Sequence, residues 1–272
     1  MRYCFVIFFS FCILYGNGQD STLNTLLIKT IYGDIHDFAV DNMDNIYLVQ
    51  SGNQIKKTNS KGDSIAVYND VKRYGNIYSL DVTNPLKVLV YFRDFSTIVV
   101  LDRLLNVVNT IDLRKQNILQ SSAIASSYDN NIWVYDDLNS KLKKIDDLGK
   151  VLLESTDFRQ VFDPVPSPTA MYDRDGQLYM YDEIKGLIVF DYYGGRKNIF
   201  PIIHYKDLQV IDNKTITGRD SNYIMVYKPS LLQMFSYKAF DNPNRFSKIN
   251  FNGSRLYCLD YNNRMEIYQV IR

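Results

Sequence analysis

The sequence predicts an all-β protein, a six-bladed β-propeller closed by an N-terminal strand in the last blade. Three observations carry this. A hydrophobic pattern recurs six times at a spacing of about forty residues, the period of propeller blades. Each repeat holds four short runs of strand-forming residues separated by turn-forming ones. The last repeat lacks its fourth run, and an unassigned run of the same kind lies ahead of the first.

The repeats read Asn45-Ile46-Tyr47-Leu48-Val49-Gln50, Leu89-Val90-Tyr91-Phe92-Arg93-Asp94, Asn131-Ile132-Trp133-Val134-Tyr135-Asp136, Gln177-Leu178-Tyr179-Met180-Tyr181-Asp182, Thr215-Ile216-Thr217-Gly218-Arg219-Asp220 and Arg255-Leu256-Tyr257-Cys258-Leu259-Asp260. Their aliphatic anchors, Ile46, Val90, Ile132, Leu178, Ile216 and Leu256, stand 44, 42, 46, 38 and 40 positions apart. An aromatic follows each anchor except Ile216. An Asp stands four positions after each anchor except Ile46, where Gln50 takes its place. In the third repeat the four runs are residues 121–127, 132–136, 141–146 and 151–155. Tyr128-Asp129-Asn130, Asp137-Leu138-Asn139-Ser140 and Asp147-Leu148-Gly149-Lys150 break them as turns do. No window of ten or more residues carries a helical period, which excludes a helical solenoid. With 22 Tyr and 15 Phe against 13 Gly and 7 Pro, the composition favours strands as well. After the sixth repeat only residues 265–271 remain. Residues 23–31 are therefore expected to pair as the outermost strand of the sixth blade, so that the two ends of the chain close the ring and leave no open edge.

The N-terminus reads as a targeting segment. Arg2 is followed by an almost wholly apolar run over residues 3–15, too short for the ~20 residues of a membrane-spanning helix. Gly16-Asn17-Gly18 supplies small residues for cleavage before Gln19. Cys12 follows Phe11 rather than a small residue, which argues against a lipoprotein. The expected organisation is a signal peptide over 1–18 and a single propeller domain over 19–272. The expected product is exported, in the periplasm or associated with the outer membrane. Lys+Arg total 31 and Asp+Glu 30, a balance that offers no bulk charge to nucleic acid or to an anionic membrane surface. No later segment reaches the ~18 apolar residues of a membrane span. Beyond the leader only Cys258 remains, so no intramolecular disulfide is expected.

The run Leu256-Tyr257-Cys258-Leu259-Asp260-Tyr261-Asn262-Asn263-Arg264-Met265 resembles the NHL-type propeller repeat, and residues 46–55 and 132–142 are weaker versions. As a whole the chain resembles a small Bacteroidota propeller family, and it also resembles the PorD-like periplasmic component of the type IX secretion translocon. Asp20-Ser21-Thr22 and Asp63-Ser64-Ile65 resemble the periplasmic O-glycosylation triplet of that phylum. The resemblance implies a non-catalytic scaffold, with other proteins of an envelope secretion complex as partners.

Tests for chemistry mostly fail. The two histidines, His36 and His204, form no zinc-binding spacing, and neither a nucleophile elbow nor a phosphate loop occurs. Asp173-Arg174-Asp175-Gly176 opens like a calcium loop, but Ile184 stands where the bidentate Glu belongs, and a tight turn explains it better. The repeated Asp can be read as a ring of acids around a cation or amine. It reads more simply as an acceptor for the backbone N–H groups of the turn that follows it. The repeated aromatics read as packing between blades, and Cys258 as a small buried hydrophobe. A calcium-dependent lactonase-like hydrolase, with Asp94, Asp136, Asp182 and Asp220 as candidate ligands, is the enzymatic alternative. A sugar- or peptide-binding module is a third. The leading reading is a protein-interaction scaffold with no catalytic residue, no metal ligand and no cofactor.

In a propeller, the connections after each second strand and after each fourth strand share one face. On that face the sequence places Arg73, Arg114, Arg159 and Arg245. It also places there the longest linker, residues 156–167, with Phe158 and Phe162. The linker is apolar and stiffened by proline, so Phe158, Phe162 and the four arginines are the expected protein-docking patch. The alternative is that the linker folds over the blade edge and buries its own phenylalanines.

Overall fold

The computed structural model describes residues 21–69 and 73–271. The proposed leader lies outside the described residues. The chain opens with β1 (Ser21–Thr22) and β2 (Asn24–Ile31) and then lays down blades in sequence order. Blade 1 comprises β3 (Ile35–Val40), β4 (Ile46–Gln50), β5 (Gln54–Thr58) and β6 (Ser64–Tyr68). Blade 2 follows with β7 (Ser79–Asp81), β8 (Val88–Phe92), β9 (Thr97–Leu101) and β10 (Val107–Asp112). β11 (Ser121–Ser126), β12 (Ile132–Asp136), β13 (Lys141–Ile145) and β14 (Val151–Glu154) build blade 3. Blade 4 has β15 (Ala170–Arg174), β16 (Gln177–Asp182), β17 (Gly186–Phe190) and β18 (Arg196–Phe200). Blade 5 consists of β19 (Lys206–Asp212), β20 (Thr215–Asp220), β21 (Tyr223–Lys228) and β22 (Gln233–Lys238). Blade 6 has β23 (Phe246–Asn252), β24 (Arg255–Asp260) and β25 (Met265–Ile271), and takes β2 as its outer strand.

The expected closure is present. β2 runs antiparallel to β25, pairing Asn24 with Ile271 and Ile31 with Met265. The structure adds a detail: β1 pairs in parallel with β22, and the Leu23 N–H donates to the Lys238 carbonyl. Residues 21–31 thus lean on the outer edge of blade 5 before crossing to blade 6, and they tie these two blades together.

Burial explains why the repeat is legible. The second strand of each blade is sandwiched between neighbouring blades, so it is hydrophobic on both faces rather than alternating. Every residue of β8 and of β12 is buried. The outer strands are half-solvated: in β6 only Tyr68 is buried. Turn chemistry fixes the hairpins. Asp175 and Gly176 both adopt positive φ, the pair of left-handed residues that a two-residue primed turn requires. This bears out the tight-turn reading of residues 173–176. At the start of β17, Gly186 has φ +88°, and a Cβ there would stand 2.3 Å from the Phe200 carbonyl oxygen, so only glycine fits.

Among the described residues the core forms six clusters, one at each blade junction. The repeated aromatic is the centrepiece of five of them. Tyr47 fills the junction of blades 1 and 2, Tyr91 that of 2 and 3, Trp133 that of 3 and 4, Tyr179 that of 4 and 5, and Tyr257 that of 6 and 1. The exception is the junction of blades 5 and 6, where the repeat offers Thr217. Phe240, Phe246 and Tyr268 fill it in edge-on contact, together with Cys258. Arg219 crosses it as well. Its guanidinium is buried, pairs with Asp207 at 2.8 Å and donates to the carbonyls of Pro243 and Phe246 at 2.8 and 2.7 Å. Burial pushes the Asp207 carboxyl above its ordinary range, against the pull of Arg219.

Candidate functional site

Two regions of the ring present chemistry to solvent. The first is the face formed by the interblade linkers and the turns after each second strand. Arg73, Arg114, Arg159 and Arg245 are all exposed there, one in each linker leaving blades 1, 2, 3 and 5. Arg114 forks onto Asp112 at 2.8 and 3.1 Å, and Arg159 onto Asp157 at 2.6 to 3.0 Å. Each of those acids also accepts the backbone N–H of its arginine, so the short 3-10 turn and its guanidinium are held by one carboxylate. The hydrogen bond from Arg159 holds Asp157 near 2, well below the ordinary carboxylate range. Arg245 donates to Glu266 and Tyr268 and lies over the Phe246 ring, and Arg73 lies over Tyr74. Exposed apolar side chains stand among them: Phe95, Leu138 and Ile184 on the turns, Leu119 and Val161 on the linkers.

The two phenylalanines expected on this face are not surface groups. Phe158 is 1% exposed and Phe162 is 8% exposed. Phe158 stacks on Phe190 of blade 4, with ring centroids 5.3 Å apart and planes 4° from parallel, and Phe162 meets Phe158 edge-on. Tyr135 of blade 3 closes the same cluster, and its hydroxyl donates to the Pro166 carbonyl at 2.9 Å. The linker folds inward because its apolar residues gain more between blades 3 and 4 than against water. The expectation of an exposed Phe158 and Phe162 pair is corrected accordingly, and the exposed part of the expected patch is its arginines.

The repeated Asp residues lie at this same face and not around the ring axis. Asp182 accepts the N–H groups of Ser167, Ile184 and Lys185, Asp260 those of Asn262 and Arg264, and Asp136 that of Asn139. Asp136 is also fully buried against Lys143 at 2.8 Å. Holding turns is what these three do. Asp94 and Asp220 are exposed. Among the described residues, no three His, Cys, Asp or Glu side chains are grouped so as to hold a metal ion.

The second region is the central channel, about 1260 Å³, lined by the first strand of every blade and open among the turns that follow them. Its wall is polar. Lys248 of blade 6 bridges to Asp37 of blade 1 at 2.6 Å, and Asp81 of blade 2 accepts the Ser126 N–H of blade 3 at 2.6 Å. At the junction of blades 3 and 4, Asp173 gathers three donors: the Ser127 hydroxyl at 2.9 Å, the Trp133 indole N–H at 3.0 Å and the Tyr192 hydroxyl at 2.7 Å. Tyr192 in turn stacks on Tyr128, with centroids 4.7 Å apart and planes 14° from parallel. The sequence pattern missed this group. Tyr128 and Tyr192 lie in turns of different blades, and Asp173 looks like part of a hairpin. The one local signal was an aromatic in each turn, at Tyr128-Asp129-Asn130 and at Tyr192.

No protein-family model and no curated protein matches the chain. Solved structures do match it in shape. A catalytically inactive virginiamycin B lyase from Staphylococcus aureus, solved with quinupristin, is 11% identical over 94% of this chain and 97% of its own, with a TM-score of 0.61. The β-propeller domain of Cps50 (Swd1) from Myceliophteria thermophila is 8% identical over 91% and 100%, also at 0.61. A chain of the mitotic checkpoint complex is 11% identical over 88% and 78%, at 0.57. At these identities the likeness establishes the propeller and nothing about activity.

Proposed function

We propose that this chain is a non-catalytic protein-interaction scaffold that engages its partner through the linker face. The carrying observation is the set of four exposed arginines, distributed over four of the six linkers and interspersed with exposed apolar side chains. Arginine and large apolar groups are what protein interfaces enrich, and two of these guanidiniums are already pinned by Asp112 and Asp157, so docking costs little ordering entropy. The propeller suits such a role because its linkers can vary while the blade junctions hold the frame. A chain of the mitotic checkpoint complex is similar in shape, which supports a role in assemblies.

The apolar N-terminal run supports export, and the sequence resemblance to the PorD-like component supports a partner in an envelope secretion complex. The test is co-purification from the native envelope using the tagged full chain, with Arg114→Glu/Arg159→Glu as the variant. The reading expects partners that follow the wild-type chain and are lost from the variant while its circular dichroism is unchanged. Equal recovery with both chains would remove the linker face from the interface.

A further inference from the structure

The mouth of the central channel carries a built aromatic platform for which the scaffold reading has no use. Tyr128 is 69% exposed although one face of its ring is covered by Tyr192, so its other face is open. The stack continues to Trp133, and Asp173 fixes it from beneath through Tyr192 and Trp133. Lys144 lies beside all three rings, 4.9 to 5.4 Å from their centroids, and is neutralised by Asp129. The platform is thus rigid before any ligand arrives, which lowers the entropy lost on binding.

A polar group at the mouth has capacity to spare. Arg174 of blade 4 reaches Thr83 of blade 2 at 3.3 Å, with further guanidinium donors to offer.

Ligand chemistry follows from what this mouth excludes and accepts. Of the charged residues lining the channel, Asp37, Asp41, Asp81, Asp173 and Asp175 outnumber Arg174 and Lys248, which disfavours phosphates and other anions. An organic cation on the open face of Tyr128 would face the Lys144 ammonium, a like charge already 5.4 Å from that ring's centroid. A pyranose ring needs neither charge. It offers an apolar C–H face to a tyrosine and a rim of hydroxyls that both donate and accept. The volume exceeds the ~300–1,000 Å³ of ordinary small-ligand sites and accommodates several sugar units.

We propose that the channel mouth is a saccharide-binding site, in which the open face of Tyr128 receives a pyranose ring and Arg174 donates to its hydroxyls. This site opens on the face opposite the linkers, so its failure would leave the scaffold reading intact. The experiment titrates the full chain with cellotetraose, maltotetraose, mannotetraose and N-acetylchitotetraose, following tyrosine and tryptophan fluorescence, with choline and inositol hexaphosphate as cationic and anionic probes. Saturable binding of at least one tetrasaccharide is expected. Tyr128→Ala should weaken it about tenfold while melting as the wild type does, and Val161→Ser on the far face should leave it unchanged. Binding of choline or inositol hexaphosphate alone, binding of no tetrasaccharide, or equal binding by Tyr128→Ala would overturn the proposal.

Discussion

Replacing Phe158 by Ala separates a core linker from a docking linker. The ring is 1% exposed, lies parallel to Phe190 at 5.3 Å, and touches Phe162 and Tyr135. A buried Phe→Ala change costs about 3–5 kcal/mol, from lost transfer energy plus the cavity left behind. Phe158 joins blade 3 to blade 4 across a junction that also holds Trp133 and Met180, so little can collapse into the gap. At ~2–4 °C per kcal/mol for a domain of this size, the melting temperature should fall by roughly 6–20 °C. The assay is thermal unfolding followed by circular dichroism, with Val161→Ser as the control. Val161 lies in the same linker but is exposed, and its change should stay within ~0.5 kcal/mol. Below its lowered transition, the Phe158→Ala chain should still recover whatever partner the wild type recovers, because the arginines are untouched. A Phe158→Ala chain that melts within ~2 °C of wild type would refute the reasoning, since a side chain packed as described cannot be removed so cheaply.

Two further outcomes follow from the buried charges. Arg219→Ala leaves Asp207 buried without its partner and should cost about 3–5 kcal/mol, while Arg219→Met with Asp207→Leu should restore much of it; a single variant as stable as the wild type would show that the junction of blades 5 and 6 does not depend on the pair. Asp129 is held at about 2, because hydrogen bonds from Lys144 and Asn131 outweigh the burial that pushes it up. A folded-state value below the ordinary 3.8 means that its contribution is present above pH 3.8 and lost as pH falls through about 2. The melting difference between wild type and Asp129→Asn should therefore be present at neutral pH and close over that acid range, and a difference that does not change with pH would argue against the ion pair with Lys144.

The sequence by itself determined the ring. The anchors from Ile46 to Leu256 recur because every second strand meets a blade on each side, and that requirement writes the same hydrophobic run into each repeat. The missing fourth strand of the last repeat likewise announced the β2–β25 closure, since an unpaired edge must be covered from somewhere in the chain. The turn-holding role of Asp136, Asp182 and Asp260 was legible for the same reason, being a contact between residues a few positions apart. What lay beyond the sequence is whatever depends on contacts between blades. Phe158 and Phe162 looked the same as exposed anchors until the gap between Tyr135 and Phe190 was known to receive them. Thr217 broke the aromatic pattern, and only the tertiary structure showed Arg219, Phe240 and Tyr268 making up that junction. Tyr128 belongs to a turn of blade 3, and Asp173 and Tyr192 to a strand and a turn of blade 4, each unremarkable locally, and the packing of these two blades brings them to one mouth. Periodicity records the contacts that every repeat shares; a site made once, from unlike residues of different blades, leaves no period to read.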